Sequence, residues 1–135
     1  MEEKKKIVTY KDLDVYQRTY KAAITVMTKV ITTLPDSERY DLKDQLSRSS
    51  KALPRLIAEG YAKRHQVRGF QKYLDDAMAE SNECVVSLCQ CVDIYPTCVE
   101  KSLCEDLIKE YEMSGKQLYR LAQAWNKGKG IHHVP

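Results

Sequence analysis

Residues 103–125 read LCEDLIKEYEMSGKQLYRLAQAW, and this stretch decides the fold class. Leu103, Leu107, Tyr111, Ser114, Leu118, Leu121 and Trp125 recur in steps of three and four, with mostly polar residues between them. That is the period of an amphipathic helix rather than the alternation of a half-buried strand. Pro96-Thr97 precedes the stretch and Gly128-Lys129-Gly130 follows it. The spacing therefore predicts a helix over about 99–126 and a tail over 127–135.

The same period runs backward through the chain. Phe70, Leu74, Ala77, Ser81, Cys84, Leu88, Cys91 and Tyr95 predict a helix over about 67–95. Leu42, Leu46, Ser49, Leu53, Leu56 or Ile57, and Gly60 predict one over about 38–64, with Asp36 or Ser37 as its N-cap. Pro54 falls mid-pattern, where its missing N–H predicts a kink. Gly60 costs ~1 kcal/mol relative to alanine inside a helix, so a close approach by a neighbouring helix is the expected compensation. Leu13, Tyr16, Tyr20, Ala23, Met27, Val30 and Leu34 predict the first helix, over about 12–34, closed by Pro35.

No segment alternates like a strand, and the connections are only a few residues long. Short loops favour antiparallel neighbours, which predicts an all-α, antiparallel up-down-up-down four-helix bundle forming one domain over 1–135. Val15, Ile31, Tyr40, Tyr61, Tyr73 and Tyr119 fall beside the main stripes. Nine tyrosines against one phenylalanine suit either a subunit interface or positions that simply flank the core.

Charged residues at 30% and hydrophobic residues at 43% are ordinary for a globular domain. No apolar run approaches the ~20 residues that a membrane span needs. Met1-Glu2-Glu3-Lys4-Lys5-Lys6 leads into no apolar segment of signal-peptide type, so a cytoplasmic location is expected. Cys84, Cys89, Cys91, Cys98 and Cys104 are odd in number, and Cys89 and Cys91 point ~200° apart on a helix. They read as reduced core filler rather than as metal ligands or redox groups. His132-His133 read as free tail residues. Asp75-Asp76 and Glu105-Asp106 diverge by ~100° on a helix and read as solvated surface. With no phosphate loop, nucleophile elbow or zinc-protease motif, no enzyme, cofactor or metal site is expected.

Charge distribution is more informative than its total of +3. Residues 1–42 carry eight Lys/Arg and seven Asp/Glu, for +1; residues 43–72 carry eight and two, for +6; residues 73–135 carry six and ten, for −4. Arg48, Lys51 and Arg55 share one helix face, and Lys63, Arg64 and Arg68 cluster at the turn beyond, beside His65. Such a ridge suits phosphates. From charge alone the commoner role of such a run is a solvated face pairing with the acidic third and fourth helices, within one chain or across a subunit interface. Glu59, Gln45 and Glu83 are the polar groups expected nearest the inter-helix seam, with Glu59 accepting from Arg48 or from a donor freed at Pro54.

These residues also carry a resemblance. Tyr10-Lys11-Asp12-Leu13, Val15-Tyr16-Gln17, Leu34-Pro35, Glu38, Tyr40 and Leu42 stand in order, followed by Gln45-Leu46, Arg48-Ser49-Ser50 and Ile57-Ala58-Glu59-Gly60. Phe70, Tyr73-Leu74, Ala77, Ser81 and Glu83 continue the pattern. Over about residues 10–90 the chain resembles the four-helix-bundle protein family of 23S rRNA intervening sequences. That family is similar to the accessory variability determinant proteins of diversity-generating retroelements. The family's Ser-Ile-Pro-x-Asn is Ala52-Leu53-Pro54-Arg55-Leu56 here, so leucine stands in place of its asparagine.

The resemblance implies a bundle similar to pentameric relatives, with five protomers around a channel. It also implies association of the basic surface with RNA and a reverse transcriptase. The expected function is accordingly non-enzymatic: an oligomeric accessory protein binding structured RNA or DNA through Arg48, Lys51, Arg55, Lys63, Arg64 and Arg68. Pro54, Glu59 and Gly60 form its structural motif. The alternative is a protein-only oligomeric scaffold with no nucleic-acid role.

Overall fold

The computed structural model describes residues 6–66 and 68–127. Four α-helices carry the architecture: α1 (Asp14–Thr25), α2 (Leu42–Ala62), α3 (Gly69–Ile94) and α4 (Lys101–Trp125). Among the described residues there is no strand. The glycines at 128 and 130, the rest of the predicted tail and His132-His133 lie outside the described residues.

Packing runs round a ring, α1 against α2 and α4, and α3 against α2 and α4. Direction follows from the contacts along each seam. Ser49 meets Glu83 and Gly60 meets Phe70, so α2 and α3 run opposite ways. Ser81 meets Tyr111 and Phe70 meets Trp125, so α3 and α4 do too. Asp14 meets Gln117 and Arg18 meets Glu110, which closes the ring antiparallel. The fold is the expected up-down-up-down bundle.

The chain enters α1 through a short 3-10 turn, Tyr10–Asp12, capped from both sides. Thr9 Oγ1 accepts from the Lys11 N–H at 3.2 Å, and Asp12 Oδ2 accepts from the N–H groups of Val8 and Thr9 at 2.8 and 2.9 Å. This is a capping box in which each side chain satisfies an orphan donor at the helix entry.

Beyond Thr25 the helix widens into a π-wound turn, Val26–Val30, then tightens into a 3-10 turn, Ile31–Thr33. Thr25, Thr28, Thr32 and Thr33 all donate their hydroxyls back to carbonyls of the preceding turn. Such back-bonding competes with the backbone ladder and loosens a helix. The π turn holds one extra residue, which moves the core face of α1 by one position. Val15, Thr19, Ala22 and Val26 are buried, whereas Tyr16 is half-buried and Tyr20 exposed. The expected stripe through Tyr16, Tyr20 and Met27 is thus corrected by one residue, and Val15 joins the core.

Neither Asp36 nor Ser37 caps α2, which begins at Leu42 after a 3-10 turn, Asp36–Glu38. Glu38 does that work: Oε1 accepts from the Leu42 N–H at 3.1 Å and Oε2 from the Tyr95 hydroxyl. These two bonds, the Tyr95 one first, hold the Glu38 carboxyl below its ordinary range.

Leu46, Leu53, Ile57, Leu74, Leu88 and Leu118 are fully buried at the centre. Two buried hydroxyls are satisfied within a helix or across a seam: Thr19 donates to the Val15 carbonyl at 2.8 Å and Ser81 to the Tyr111 carbonyl at 2.6 Å. Cys84, Cys91 and Cys104 fill core space, while Cys89 and Cys98 are exposed, so the core-filler reading holds for three of the five. Burial pushes the Cys84 and Cys91 thiols up to about 12.

Candidate nucleic-acid interface

Arg48, Lys51 and Arg55 project from one exposed face of α2, spaced ~4.5 and ~6 Å along its axis. They line a groove of about 850 Å³ between α2 and α3, together with Gln45 and Ser49. The other wall belongs to α3 and includes Glu80, Asn82, Glu83 and Gln90. Arg48 Nη1 reaches Asp44 Oδ2 at 3.5 Å, one turn back on its own helix, with the guanidinium side chain 78% exposed. A pair so open to water contributes little. Neither Lys51 nor Arg55 makes an ion pair among the described residues.

The acidic wall is organised by its own contacts. Ser49 Oγ donates to Glu83 Oε2 at 2.9 Å. Desolvation, then the hydrogen bond and charge of Glu83, raise the Glu80 carboxyl above its ordinary range, against a lowering contribution from Ser49. The groove is therefore two-signed, with three cations facing a self-repelling carboxylate pair. Glu83 was legible as a seam residue. Glu80 was not, because only the α2–α3 register sets it against the ridge.

The family model described as 23S rRNA-intervening sequence protein matches residues 11–120, from the capping box of α1 to the last turns of α4. The chain belongs to that family. No curated protein matches the chain.

In this family member the second basic cluster is built differently from the first. Lys63 Nζ donates to the Tyr73 hydroxyl at 3.0 Å and lies 5.2 Å from the centre of that ring. Arg64 folds over Tyr61, with Cζ 4.0 Å from the ring centre and Nη1 donating to the Tyr61 carbonyl at 2.8 Å. Arg68 is exposed and takes a left-handed φ of 62°. Gly69 follows because a Cβ there would stand 2.4 Å from the Lys63 carbonyl oxygen. Lys63 and Arg64 thus brace the turn with aromatic partners, and His65 and Arg68 are left open to solvent.

The six predicted cations fall into two groups, the α2 ridge and the turn beyond it. Eight residues separate Arg55 from Lys63, ~12 Å along a helix, and exposed Glu59 lies one turn beyond Arg55. Among the described residues Glu59 takes a hydrogen bond neither from Arg48 nor from a backbone donor near Pro54, the two partners expected; its charge acts on Lys63. Pro54 is buried, and α2 continues through it as one helix. Gly60 is where α3 comes closest: a Cβ there would lie 2.7 Å from Tyr73 Cβ and 3.1 Å from Phe70 Cδ1. Among the described residues no group of three His, Cys, Asp or Glu side chains is placed to hold a metal ion. No described helix is long and apolar enough to cross a membrane.

Proposed function

We propose that this member of the family is a non-enzymatic accessory protein that holds structured RNA or DNA as a homo-oligomer. The observation that carries the reading is the solvent-facing row of Arg48, Lys51 and Arg55, two of them without an ion-pair partner among the described residues. A rigid helix presents them at fixed spacing, so little ordering entropy opposes their meeting phosphates. Arg68 and His65 extend the contact beyond the turn. The pentamer and the reverse-transcriptase partner of similar proteins complete the proposal, with the cytoplasm as its compartment. The non-enzymatic part is supported by the buried thiols of Cys84 and Cys91, since thiols raised by burial are the opposite of activated nucleophiles.

The test is filter binding of a structured RNA beside gel filtration. The triple variant Arg48→Glu, Lys51→Glu, Arg55→Glu is expected to abolish binding while leaving the assembly intact. Glu80 and Glu83 across the groove favour a second reading, a protein-only scaffold in which such carboxylates meet the ridge between subunits. That reading wins if the triple variant runs as a monomer.

A further inference from the structure

We infer that the groove between α3 and α4 seats an unpaired nucleotide, its base stacked on Tyr119 and its flanking phosphates on Lys116 and Arg120. This rests on the nucleic-acid reading above and adds to it a second site and the part of the ligand taken there. Residues 113–127 carry Lys116, Arg120 and Lys127 and no acidic residue, a basic island inside the acidic segment 73–135. Lys116 and Arg120 are exposed, and neither makes an ion pair among the described residues. The groove holds about 620 Å³, within the ~300–1,000 Å³ of ligand clefts. It is lined by Met78 and Asn82 of α3 and, on α4, by Glu112 and Gly115 beside the three residues just named.

Tyr119 is the tyrosine placed to stack. Tyr61 and Tyr73 have cations against their rings, and Tyr10, Tyr16 and Tyr20 contact one another. Tyr40 is 88% exposed, with almost no protein beside it to fix its ring. Tyr119 is 56% exposed, part held and part open, and among the described residues no ring or cation covers its face. Its hydroxyl accepts from Gln123 Nε2 at 3.0 Å, which steadies the rim of the ring. A ring already held in place loses little freedom when a base stacks on it, a contact worth roughly ten- to a hundredfold in affinity. By the 100° step of the helix, Tyr119 lies on the α3 side of Lys116 and Arg120. The base therefore enters the groove while its phosphates stay on the solvent side.

Gly115 supplies an independent reason. Glycine inside a helix is less favourable than any residue but proline, so it needs a cause. At Gly60 the cause is packing. At Gly115 it is not, because an added Cβ would lie 3.8 Å from Ser81 Oγ, an ordinary contact. The missing side chain instead keeps the floor of the groove bare, one turn before Tyr119. Half-buried Met78 gives that floor an apolar surface for a base. A partner helix fits less well, since it needs anchors at i, i+3, i+4 and i+7 and finds two large apolar side chains, Met78 and Tyr119. Asn82 lines both this groove and the α2–α3 one. An RNA whose duplex lies on Arg48, Lys51 and Arg55 can cross α3 there and place its unpaired end against Tyr119.

The experiment uses the full chain with three RNA probes: a blunt hairpin, the same hairpin with an unpaired tail of about six nucleotides carrying 2-aminopurine, and that tail alone. Wild type and Tyr119→Phe are expected to quench the 2-aminopurine and to bind the tailed hairpin roughly ten- to a hundredfold more tightly than the blunt one. Tyr119→Leu keeps the bulk and loses the ring, and is expected to lose both effects while binding the blunt hairpin as wild type does. Gly115→Gln, which fills the floor, is expected to block the quenching as well. Lys116→Gln/Arg120→Gln is expected to make the salt slope for the tailed hairpin shallower by about 1.4, at ~0.7 per single-strand contact. Equal affinity for tailed and blunt hairpins, an unchanged slope, or quenching that survives Tyr119→Leu or Gly115→Gln overturns the inference. Binding of the tail that does not depend on the ring assigns the groove to charge alone and overturns it too. The ridge reading is judged apart: it fails if the blunt hairpin does not bind, and quenching of the tail alone then still upholds the Tyr119 site.

Discussion

Gly60 shows how one missing Cβ sets a helix separation. The added methyl of Gly60→Ala would be 2.7 Å from Tyr73 Cβ, an atom fixed to the α3 backbone, so α2 and α3 must part. Alanine gains ~1 kcal/mol in helix propensity, but overpacking costs about 1–3 kcal/mol. We expect Gly60→Ala to lower stability by about 1 kcal/mol, and by no more than about 2, read from the urea midpoint. Tyr111 gives the opposite sign. Its ring is fully buried, and its hydroxyl has no hydrogen-bond partner among the described residues. Burial, and then the Cys84 thiol beside it, hold that hydroxyl well above the ordinary phenol range. Tyr111→Phe removes a desolvated group that gains little in return, and stability should rise by about 1 kcal/mol. Of these two residues the chain alone announced only Gly60, as a mid-helix glycine needs a reason. A tyrosine on the core stripe gives no sign of whether its hydroxyl finds a partner.

At the scale of elements, the α2–α3 seam is the pH-sensitive part. The folded state raises the Glu80 carboxyl through desolvation and then Glu83. Folding therefore binds that proton more tightly than the unfolded chain does. The associated stability is present below the unfolded value of about 4.3 and is lost as pH rises through the folded value. Glu80→Gln should be more stable than the parent at neutral pH, with a difference that shrinks toward pH 4. Urea midpoints across pH 4–7 check both statements. The α3 and α4 stripes were readable residue by residue because both are regular helices, and a 100° step carried from Phe70 to Cys91 stays in phase. In α1 the same procedure fails at the π turn. A phase taken from Val30 and Leu34 runs one residue late on its N-terminal side, which swaps Tyr16 for Val15 and Tyr20 for Thr19.

At the scale of the whole molecule, salt dependence separates a ridge acting alone from two clusters acting together. Three neutralised phosphates on a duplex give a slope of about −2.7 in log affinity against log salt. Between 50 and 200 mM salt, affinity then falls about 40-fold. Six contacts would give a slope of about −5.4 and a loss of roughly 2,000-fold. Since Lys63 and Arg64 are held by Tyr73 and Tyr61, the structure favours a slope nearer the first figure. A filter-binding titration at several salt concentrations reads the slope directly.

The chain by itself determined the helical class, the antiparallel order, most of the α2–α4 core and the presence of a basic segment. Each follows from local rules: the period of apolar residues, short connections, and charge counted along the sequence. Tertiary structure decided the register of α1, the placement of Glu80 and Glu83 opposite Arg48, Lys51 and Arg55, and the division of six cations into an open row and a braced turn. Those depend on how far one helix slides and rotates against another. A π turn of one extra residue, or a glycine that admits a neighbour, sets that relation without altering the pattern of apolar residues that first reveals the helices.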